Sequence, residues 1–427
     1  MRRGTKGQIV VDGDLFERIS KRIDSYESDM VALQIGLTAI PALAPENGGD
    51  GEYKKARYLV ERLTQMGFDN IRRFEAPDER VAFACRPNII VTIPGEKRGG
   101  TVWIITHVDV VPPGEPTLWD HDPYEGYVKG GRIYGRGTED NQQDLVASIF
   151  AAKAFLDEGI TPGFSVGLAF VADEETSSKK GLVYLLGMEK KLFKKDDLIL
   201  VPDFGDEEGS MIEVAEKSLL WLRFKTVGVQ CHASEPSLGR NAFTAASHLV
   251  TKLGDLYHIF GKIDPLYRPP TSTFEPTRKD ANVPNINTIP GDDIFYLDCR
   301  ILPDYDLVEV MSRVRSMADE VEQEFDVSID IVPVQAVEAP PPTDRDSPVV
   351  KALAGAVRKI YGVDATPGGI GGGTVAAPLR EKGYQVAVWS RLGGVAHQPN
   401  ENCIISNMIG NAKVFAHLFL GRTGENT

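Results

Sequence analysis

The sequence predicts an α/β protein: a layered sandwich with a largely parallel sheet, into which a small ferredoxin-like α+β domain is inserted. Three observations support this prediction. Apolar segments with strand and helix periodicity alternate early in the chain, and this pattern changes near residue 215. A proline-rich segment near residue 340 marks the point where the chain returns to the larger domain. At 427 residues the chain is also longer than a domain that folds around a single hydrophobic core. We therefore predict a larger domain of residues 1–215 and 336–427 and an inserted domain of residues 216–335.

The first part of the chain opens with amphipathic helices and continues with alternating strands and helices. Gly67 and Gly159 each follow a segment of helical periodicity, and glycine commonly ends helices because it adopts left-handed backbone conformations. The apolar runs between the helices are short and continuous, as in the buried strands of a parallel sheet. The predicted helices are residues 15–37, 52–66, 141–158 and 180–190, and the predicted strands are 88–93, 101–106, 164–171 and 198–201.

Residues 216–335 follow the order strand, helix, strand, strand, helix, strand, which is that of a ferredoxin-like domain. Pro333 is expected to close the last strand, because proline has no amide hydrogen to donate to a sheet. After the linker of residues 339–342, a helix, a buried strand and a closing helix complete the larger domain. The predicted strands are 218–229, 272–275, 294–301, 327–332 and 385–389, and the predicted helices are 241–260, 307–325, 347–361 and 402–420.

Composition and charge exclude several classes of protein. The formal net charge is -14, which argues against nucleic acid or an anionic membrane as a partner. No run approaches the roughly 18 apolar residues of a membrane-spanning helix, and the first residues lack the apolar core of a signal peptide. Four scattered cysteines without a CxxC pair are typical of reduced thiols. We therefore expect a cytoplasmic protein.

Acidic residues and histidines follow four of the predicted strands, and one further acid precedes a helix. Ligands of open α/β sheets bind at the carboxyl ends of the strands, so these side chains are expected to meet at one rim. Glu174 and Glu175 are adjacent carboxylates, which repel each other unless a cation or water compensates their charges. Imidazole and carboxylate groups together suit Zn²⁺, Co²⁺ or Mn²⁺, whereas a solvated acidic loop is the alternative. The candidates are His107, Asp140, Glu174, Glu175, Asp203 and His397.

Four motifs together resemble those of a known family of zinc-dependent peptidases and deacylases. They are HVDVVPPG at residues 107–114, YGRG followed by an acid at 134–140, DEE at 173–175 and GVAHQPNE at 394–401. The family comprises glutamate carboxypeptidase, aminoacylase, acetylornithine deacetylase, succinyl-diaminopimelate desuccinylase and related dipeptidases. The resemblance spans almost the whole chain, and it implies a phosphorylase/hydrolase-like three-layer sandwich with an inserted ferredoxin-like lid and dimerisation domain.

The resemblance implies two divalent metal ions, with zinc expected first and cobalt or manganese as alternatives. The Asp140–Asn141 peptide bond is expected to be cis, as in the family. Glu174 would be the general base for the attacking water. Asp109, two residues after His107 on an extended chain, would orient the His107 imidazole. The implied metal ligands are His107 and Asp203 for one ion, Glu175 and His397 for the other, and Asp140 as a bridge between both.

Further residues are implied to contact the substrate. His232, in the segment CHASEP, would stabilise the oxyanion from the partner subunit of a homodimer. Asn287 and Arg300 would bind a carboxylate of the substrate, with a structural salt bridge as the alternative for Arg300. The glycine cluster 368–373 lacks the features of a phosphate-binding loop. We interpret it as a loop that approaches the same carboxylate together with Thr374, and a merely flexible loop is the alternative.

Two features bear on the position of this chain within the family. The family often continues Met-Lys-Gly-Gly after the bridging acid, whereas residues 141–144 of this chain are NQQD, which weakens a deacetylase or desuccinylase assignment. The residue at position 203 varies between Asp and Glu in the family, and Asp203 favours dipeptidase-like members. Three further acids follow closely and are alternative ligands: Asp206, Glu207 and Glu208.

We hypothesise a metal-dependent hydrolase that cleaves an amide or peptide bond of a small carboxylate-bearing substrate, either a dipeptide or an N-acyl amino acid. The alternative is a catalytically silent metal- or amino-acid-binding protein on the same scaffold. Glu174 distinguishes the two hypotheses, because a silent relative would most easily lose the general base and this chain keeps it.

Overall fold

The structure is a computed structural model that describes residues 9–96, 100–189 and 191–423. Residues 1–8 and residue 190, the last of the predicted helix 180–190, lie outside the described residues. The chain divides into two compact units. The first comprises the residues up to Val214, Thr343–Pro367 and the residues from Thr374 onward, and the second comprises Ala215–Pro342 and Gly368–Gly373.

An eight-stranded mixed sheet organises the first unit. A central strand, Thr101–His107, runs parallel to both of its neighbours, and its residues are buried from Val102 onward. Parallel strands of this kind are covered on both faces, which explains their continuous apolar sequence. From one edge to the other, the strands are Thr366–Ile370, Met211–Glu216, Val386–Arg391, Leu198–Asp206, Thr101–His107, Ser165–Val171, Cys85–Ile93 and Ile71–Pro77.

Helices pack on both faces of this sheet and complete a three-layer α/β sandwich. On one face, Trp103 and Ile105 pack with residues of the helix Leu182–Met188. On the other, the helix Gln143–Glu158 contacts both the sheet and the closing helix Ile405–Leu420, and it is almost entirely buried. Further helices are Gly13–Asp24, Glu27–Thr38, Tyr53–Gln65, Pro348–Tyr361 and Ala377–Glu381, and short strands are Ile9–Val10, Tyr127–Lys129, Arg132–Tyr134, Asn402–Ile404 and Arg422–Thr423. Within the part of the chain that the structure describes, no helix combines the length and apolarity needed to cross a lipid bilayer.

The second unit is a four-stranded antiparallel sheet with helices packed on one face. Leu220, Leu222 and Phe224 alternate along its first strand and join the core beneath the helices, while the residues between them are half-buried or exposed. The elements follow the predicted order β-α-β-β-α-β. Across the sheet, the strands are Thr273–Lys279, Asp292–Ile301, Ser218–Val227 and Ser328–Val337, the helices are Ala242–Leu253, Leu256–Ile259 and Leu307–Phe325, and Cys231–His232 pairs with Thr288–Ile289.

Several elements differ from the sequence prediction. The predicted helix 15–37 is two helices separated by a turn at Tyr26, and the predicted helix 241–260 is interrupted at Gly254. The last strand of the second unit continues through Pro333, because a strand at the edge of a sheet needs backbone hydrogen bonds on one side only. Three strands of the eight-stranded sheet were not predicted, since charged or glycine residues interrupt their apolar pattern: Ile71–Pro77, Met211–Glu216 and Thr366–Ile370.

Candidate metal centre

Two histidines and an aspartate from three separate segments meet at the carboxyl edge of the sheet in the first unit. His107 is the last residue of its strand, and its Nε2 lies 2.9 Å from Oδ1 of Asp140. The Nε2 of His397 lies 3.0 Å from Oδ2 of the same carboxylate. Each oxygen of Asp140 therefore faces a different imidazole, which is the arrangement expected of a carboxylate that bridges two cations.

One further carboxylate lies beside each histidine. Oδ1 of Asp203, in the strand Leu198–Asp206, lies 3.3 Å from Nε2 of His107. Oε2 of Glu175, in the loop after a central strand, lies 3.2 Å from Nε2 of His397. The structure thus brings the five candidate ligands together in two groups, one around each imidazole.

The neighbouring acids that the sequence left open as ligands lie elsewhere. The Asp206 carboxylate accepts hydrogen bonds from the backbone N–H and the hydroxyl of Ser210 at 2.7 and 2.8 Å. Glu207 and Glu208 are exposed to solvent. Of these four acids, Asp203 is the one that faces the histidines.

Asp109 is buried beside His107, and its backbone oxygen is closer to the imidazole than its carboxylate is. The Nδ1 of His107 lies 3.0 Å from the backbone oxygen of Asp109 and 3.6 Å from its carboxylate. The carboxylate instead accepts the backbone N–H groups of Glu174 and Glu175 at 3.2 and 3.0 Å. Asp109 therefore holds both the imidazole and the acidic loop. When Nδ1 donates to the carbonyl, a neutral ring presents its Nε2 lone pair to the centre.

Glu174 lies beside the group of candidate ligands around His107. One of its carboxylate oxygens is within 4.8 Å of the ligand atoms of His107 and Asp203. Desolvation and the charge of Asp203 raise the pKa of Glu174 well above its usual value. Desolvation and the charge of Asp140 likewise raise the pKa of Glu175 to about 7. Both carboxyl groups are therefore placed where added positive charge would favour their ionised forms.

The acids of the centre favour the protonated form of both imidazoles. Hydrogen bonds with Asp140 and Glu175 raise the pKa of His397 to about 10. Desolvation opposes protonation of His107, but the surrounding carboxylates raise its pKa well above the usual value. Among the described residues, the buried Oε1 of Glu175 has no hydrogen-bond partner. Carboxylate and imidazole ligands together with an unpaired buried oxygen fit two divalent cations. Such cations would replace the protons that the imidazoles otherwise carry.

Asn141 is a part of the site that the sequence did not indicate. The Asp140–Asn141 peptide bond is cis, as predicted. The side-chain amide of Asn141 donates to the backbone oxygen of Pro202 at 2.7 Å and to Oδ1 of Asp203 at 2.9 Å. Asn141 therefore holds one candidate ligand while it directly follows another. Because the partners are 62 positions apart in the chain, no local pattern could have revealed the contact.

The predicted substrate-binding residues of the second unit lie on its surface or form hydrogen bonds with other residues of the same unit. His232 and Asn287 are exposed. The Nδ1 of His232 accepts the backbone N–H of Ser234 at 3.2 Å, and Oδ1 of Asn287 accepts the side-chain amide of Asn285 at 2.6 Å. Their roles toward a substrate stay predictions.

Arg300 forms the salt bridge that was the alternative to its predicted role. Its Nε and Nη2 donate to the Asp298 carboxylate at 2.6 and 2.9 Å, and its Nη1 donates to the backbone oxygen of Gly371 at 2.9 Å. Thr374 belongs to the first unit, where its hydroxyl oxygen accepts the backbone N–H of Ala376 at 3.2 Å. For these two residues as well, binding of a substrate carboxylate stays a prediction.

The sequence is similar to a known protein family and to individual proteins. The profile of the peptidase family M20/M25/M40 matches residues 103–421. The chain belongs to this family. An uncharacterized metallohydrolase of Methanococcus maripaludis is 41% identical over 92% of this chain and 98% of that relative. The succinyl-diaminopimelate desuccinylase of Paracoccus denitrificans is 28% identical over 73% of this chain and 80% of that enzyme.

Solved structures show the same fold for this M20 protein. The structure of human carnosine dipeptidase 1 matches with a TM-score of 0.75 over 96% of this chain and 99% of that chain, at 17% sequence identity. The predictions of family and fold class are therefore confirmed. As a member of the M20 metallopeptidases, the protein is a metal-dependent hydrolase.

Proposed function

We propose that this M20 enzyme hydrolyses an amide or peptide bond of a small carboxylate-bearing substrate, either a dipeptide or an N-acyl amino acid. The observation that carries the proposal is the position of Asp140, whose two oxygens lie 2.9 and 3.0 Å from the Nε2 atoms of His107 and His397. Cations on the two sides of one carboxylate are close enough to act on one carbonyl group.

Two divalent ions belong to this proposal, with zinc expected first and cobalt or manganese as alternatives. The mixture of imidazole and carboxylate donors is the basis for that order. When bound, the ions would polarise the scissile carbonyl group and lower the pKa of a water molecule. The proposed ligands are His107 and Asp203 for one ion, Glu175 and His397 for the other, and Asp140 for both.

Glu174 acts first as general base and then as general acid. It takes a proton from the attacking water, whose oxygen bonds to the carbonyl carbon, and it delivers that proton to the nitrogen as the C–N bond breaks. Its pKa, raised by desolvation and by the charge of Asp203, supports this proton transfer in both directions. Asp109 assists through position, since it holds the loop of Glu174 and orients His107.

Residues on the second unit and Thr374 are proposed to bind the rest of the substrate. Asn287, Arg300 and Thr374 would bind its carboxylate. When Nδ1 of His232 accepts the Ser234 N–H, the neutral ring carries its proton on Nε2, the form that can donate to an oxyanion. Similarity to proteins named a desuccinylase and a dipeptidase supports an N-acyl amino acid or a dipeptide as the substrate.

We further propose a homodimer formed through the inserted domain, residues 216–335. The strand Thr273–Lys279 lies at the edge of its sheet, and its residues from Glu275 onward are exposed. A groove of about 360 Å³ borders this strand, and Phe243 in its lining is 46% exposed. Exposed strand edges readily pair with another chain, so this edge is where a second copy is expected.

Two conservative variants test the proposed roles of the adjacent glutamates. Glu174→Gln is expected to keep two ions per chain and its substrate affinity but to lose about 10²–10⁴-fold in turnover, because it removes the base. Glu175→Gln is expected to lose the ion beside His397, because it removes a charged ligand. The measurements are metal analysis and turnover of dipeptides and N-acyl amino acids with added Zn²⁺, Co²⁺ or Mn²⁺.

The opposite pattern would reverse the assignment. If Glu174→Gln loses metal while Glu175→Gln keeps it, the roles of the two glutamates are exchanged. If the wild-type protein binds two ions tightly but turns over none of these substrates, the catalytically silent alternative gains support.

A further inference from the structure

We propose that Glu139 and Glu401 are positioning residues that tie the turn of Asp140 to the loop of His397. Through them, the bridging acid and this histidine would be held together before any ion binds. The inference rests on the proposed function in one respect, since it takes Asp140 and His397 as metal ligands.

Glu139 reaches from the Asp140 turn into the loop that precedes His397. Its side chain is buried, and both of its oxygens are used. Oε2 accepts the backbone N–H of Gly393 at 2.6 Å, and Oε1 accepts the backbone N–H groups of Val395 and Ala396 at 2.6 and 3.0 Å. A carboxylate that accepts several amide hydrogens forms strong hydrogen bonds, because the acceptor carries a full charge.

Glu401 makes the reverse connection, four residues after His397. Its buried carboxylate accepts the backbone N–H groups of Gly137, Glu139 and Asp140 at 3.0, 2.9 and 3.0 Å. Arg136 donates to it from Nη1 at 2.5 Å. Each of the two ligand-bearing segments therefore supplies a glutamate that binds the backbone of the other.

The backbone of His397 explains why its loop needs such support. His397 has a φ of 62°, in the left-handed region that residues other than glycine rarely adopt. A conformation of this kind is energetically unfavourable and persists when the surroundings hold it. The three amides bound by Glu139 lie directly before this residue, so Glu139 is placed to supply that support.

Amide hydrogen exchange on the metal-free protein tests the connection without reference to activity. In Glu139→Gln, the new NH₂ group must face one of the amide donors, so we expect the amides of residues 393–396 to exchange at least about tenfold faster. Glu401→Gln should accelerate exchange at residues 137–140. Because the connection is reciprocal, each variant should also loosen the other segment. Glu125→Gln, at an exposed glutamate, serves as the charge-matched control and should change neither segment.

Metal titration of the same variants tests the positioning role. Glu139→Gln is expected to weaken the Zn²⁺ site that includes His397 by about 10–100-fold, and to weaken the other site, which depends on the two tied segments through Asp140 alone, by clearly less. A general loss of folding would weaken both sites alike, and thermal unfolding of each variant separates the two cases. Unchanged exchange at residues 393–396, or equal loss at both metal sites, would overturn the inference.

His397→Ala distinguishes a failure of this inference from a failure of the proposed ligand set. It should remove the same ion that Glu139→Gln weakens more strongly. If His397→Ala keeps both ions, the proposed ligand assignment is wrong. If it loses one ion while Glu139→Gln binds both as the wild type does, the positioning role of Glu139 is wrong.

Discussion

At the scale of single residues, Asn141 illustrates how the neighbour of one candidate ligand can control another. The family motif that the sequence resembles often has methionine after the bridging acid, and a methionine side chain has no hydrogen to donate to a carboxylate. Here the amide of Asn141 donates to Oδ1 of Asp203. The same oxygen lies 3.3 Å from Nε2 of His107, so the amide holds the carboxylate in the orientation that faces the proposed ion. Hydrogen-bonded partners of metal ligands commonly affect metal affinity.

We expect Asn141→Leu to weaken the binding of the ion proposed for His107 and Asp203 by about 10–100-fold, because it removes the donor that orients Asp203. Titration of the metal-free protein with Zn²⁺ against a chromophoric chelator measures this affinity. Asn282→Leu is a matched control, since Asn282 also donates to an aspartate, Asp293, but in the second unit at 2.9 Å. Equal affinities in the Asn141→Leu and wild-type proteins would show that Asp203 needs no such partner.

At the scale of elements, the closing helix Ile405–Leu420 packs against the helix Gly13–Asp24 through an aromatic contact. The rings of His417 and Phe16 meet edge-on, with their centroids 5.0 Å apart. Burial, together with the charge of Lys359, lowers the pKa of His417 to about 4. The unfolded chain has the ordinary value of about 6.5, so it binds a proton more readily than the folded protein. The resulting stability is fully present above pH 6.5 and is lost as the pH falls toward 4.

We therefore expect His417 to lower the free energy of unfolding of the wild-type protein by up to about 2 kcal/mol between pH 7 and pH 5. Replacing it with leucine should remove this part of the pH dependence, because leucine has no group to protonate. Urea unfolding of both proteins at the two pH values measures the difference. His258→Leu, at an exposed histidine, is the control and should retain the wild-type dependence. If His417→Leu keeps the full pH dependence of the free energy of unfolding, another group is responsible for that dependence.

At the scale of the whole molecule, the second unit is a domain with a core of its own. Its buried cluster includes Leu222, Phe224 and Phe295, which lie on neighbouring strands. The proposed metal ligands all belong to the first unit, whereas His232 belongs to the second. The proposal that His232 acts on the partner subunit's site therefore makes activity depend on a pair of chains.

Mixing two inactive variants tests this dependence. His232→Ala keeps the metal ligands, and His107→Ala keeps the oxyanion donor, so a mixed dimer should contain one complete site. We expect mixtures to recover up to about a quarter of wild-type activity, since half of the dimers are mixed and each has one active site. Sedimentation analysis should show the dimer, and exchange of labelled subunits must be verified. Absence of recovery despite exchange would exclude a contribution in trans.

Most residues of the candidate metal centre could be named from the sequence, because the relevant signals are local. A short apolar run marks a buried strand, and the polar residue that ends it marks the rim of the sheet, as His107 does after Thr101–Thr106. The order of the motifs then indicated the family. The first strand of the second unit was likewise predictable, since its residues alternate in burial with a period of two along Ser218–Val227.

The tertiary structure decided the contacts that hold these groups in place. Glu139 and the amides before His397 are more than 250 positions apart in the chain, and their hydrogen bonds exist because folding brings two loops together. The partner of a salt bridge at Arg300 could not be named from the sequence, and the fold shows that it is Asp298. Periodicity and motifs report which residues are buried or reactive locally, whereas the partner of a buried polar group depends on how distant segments pack.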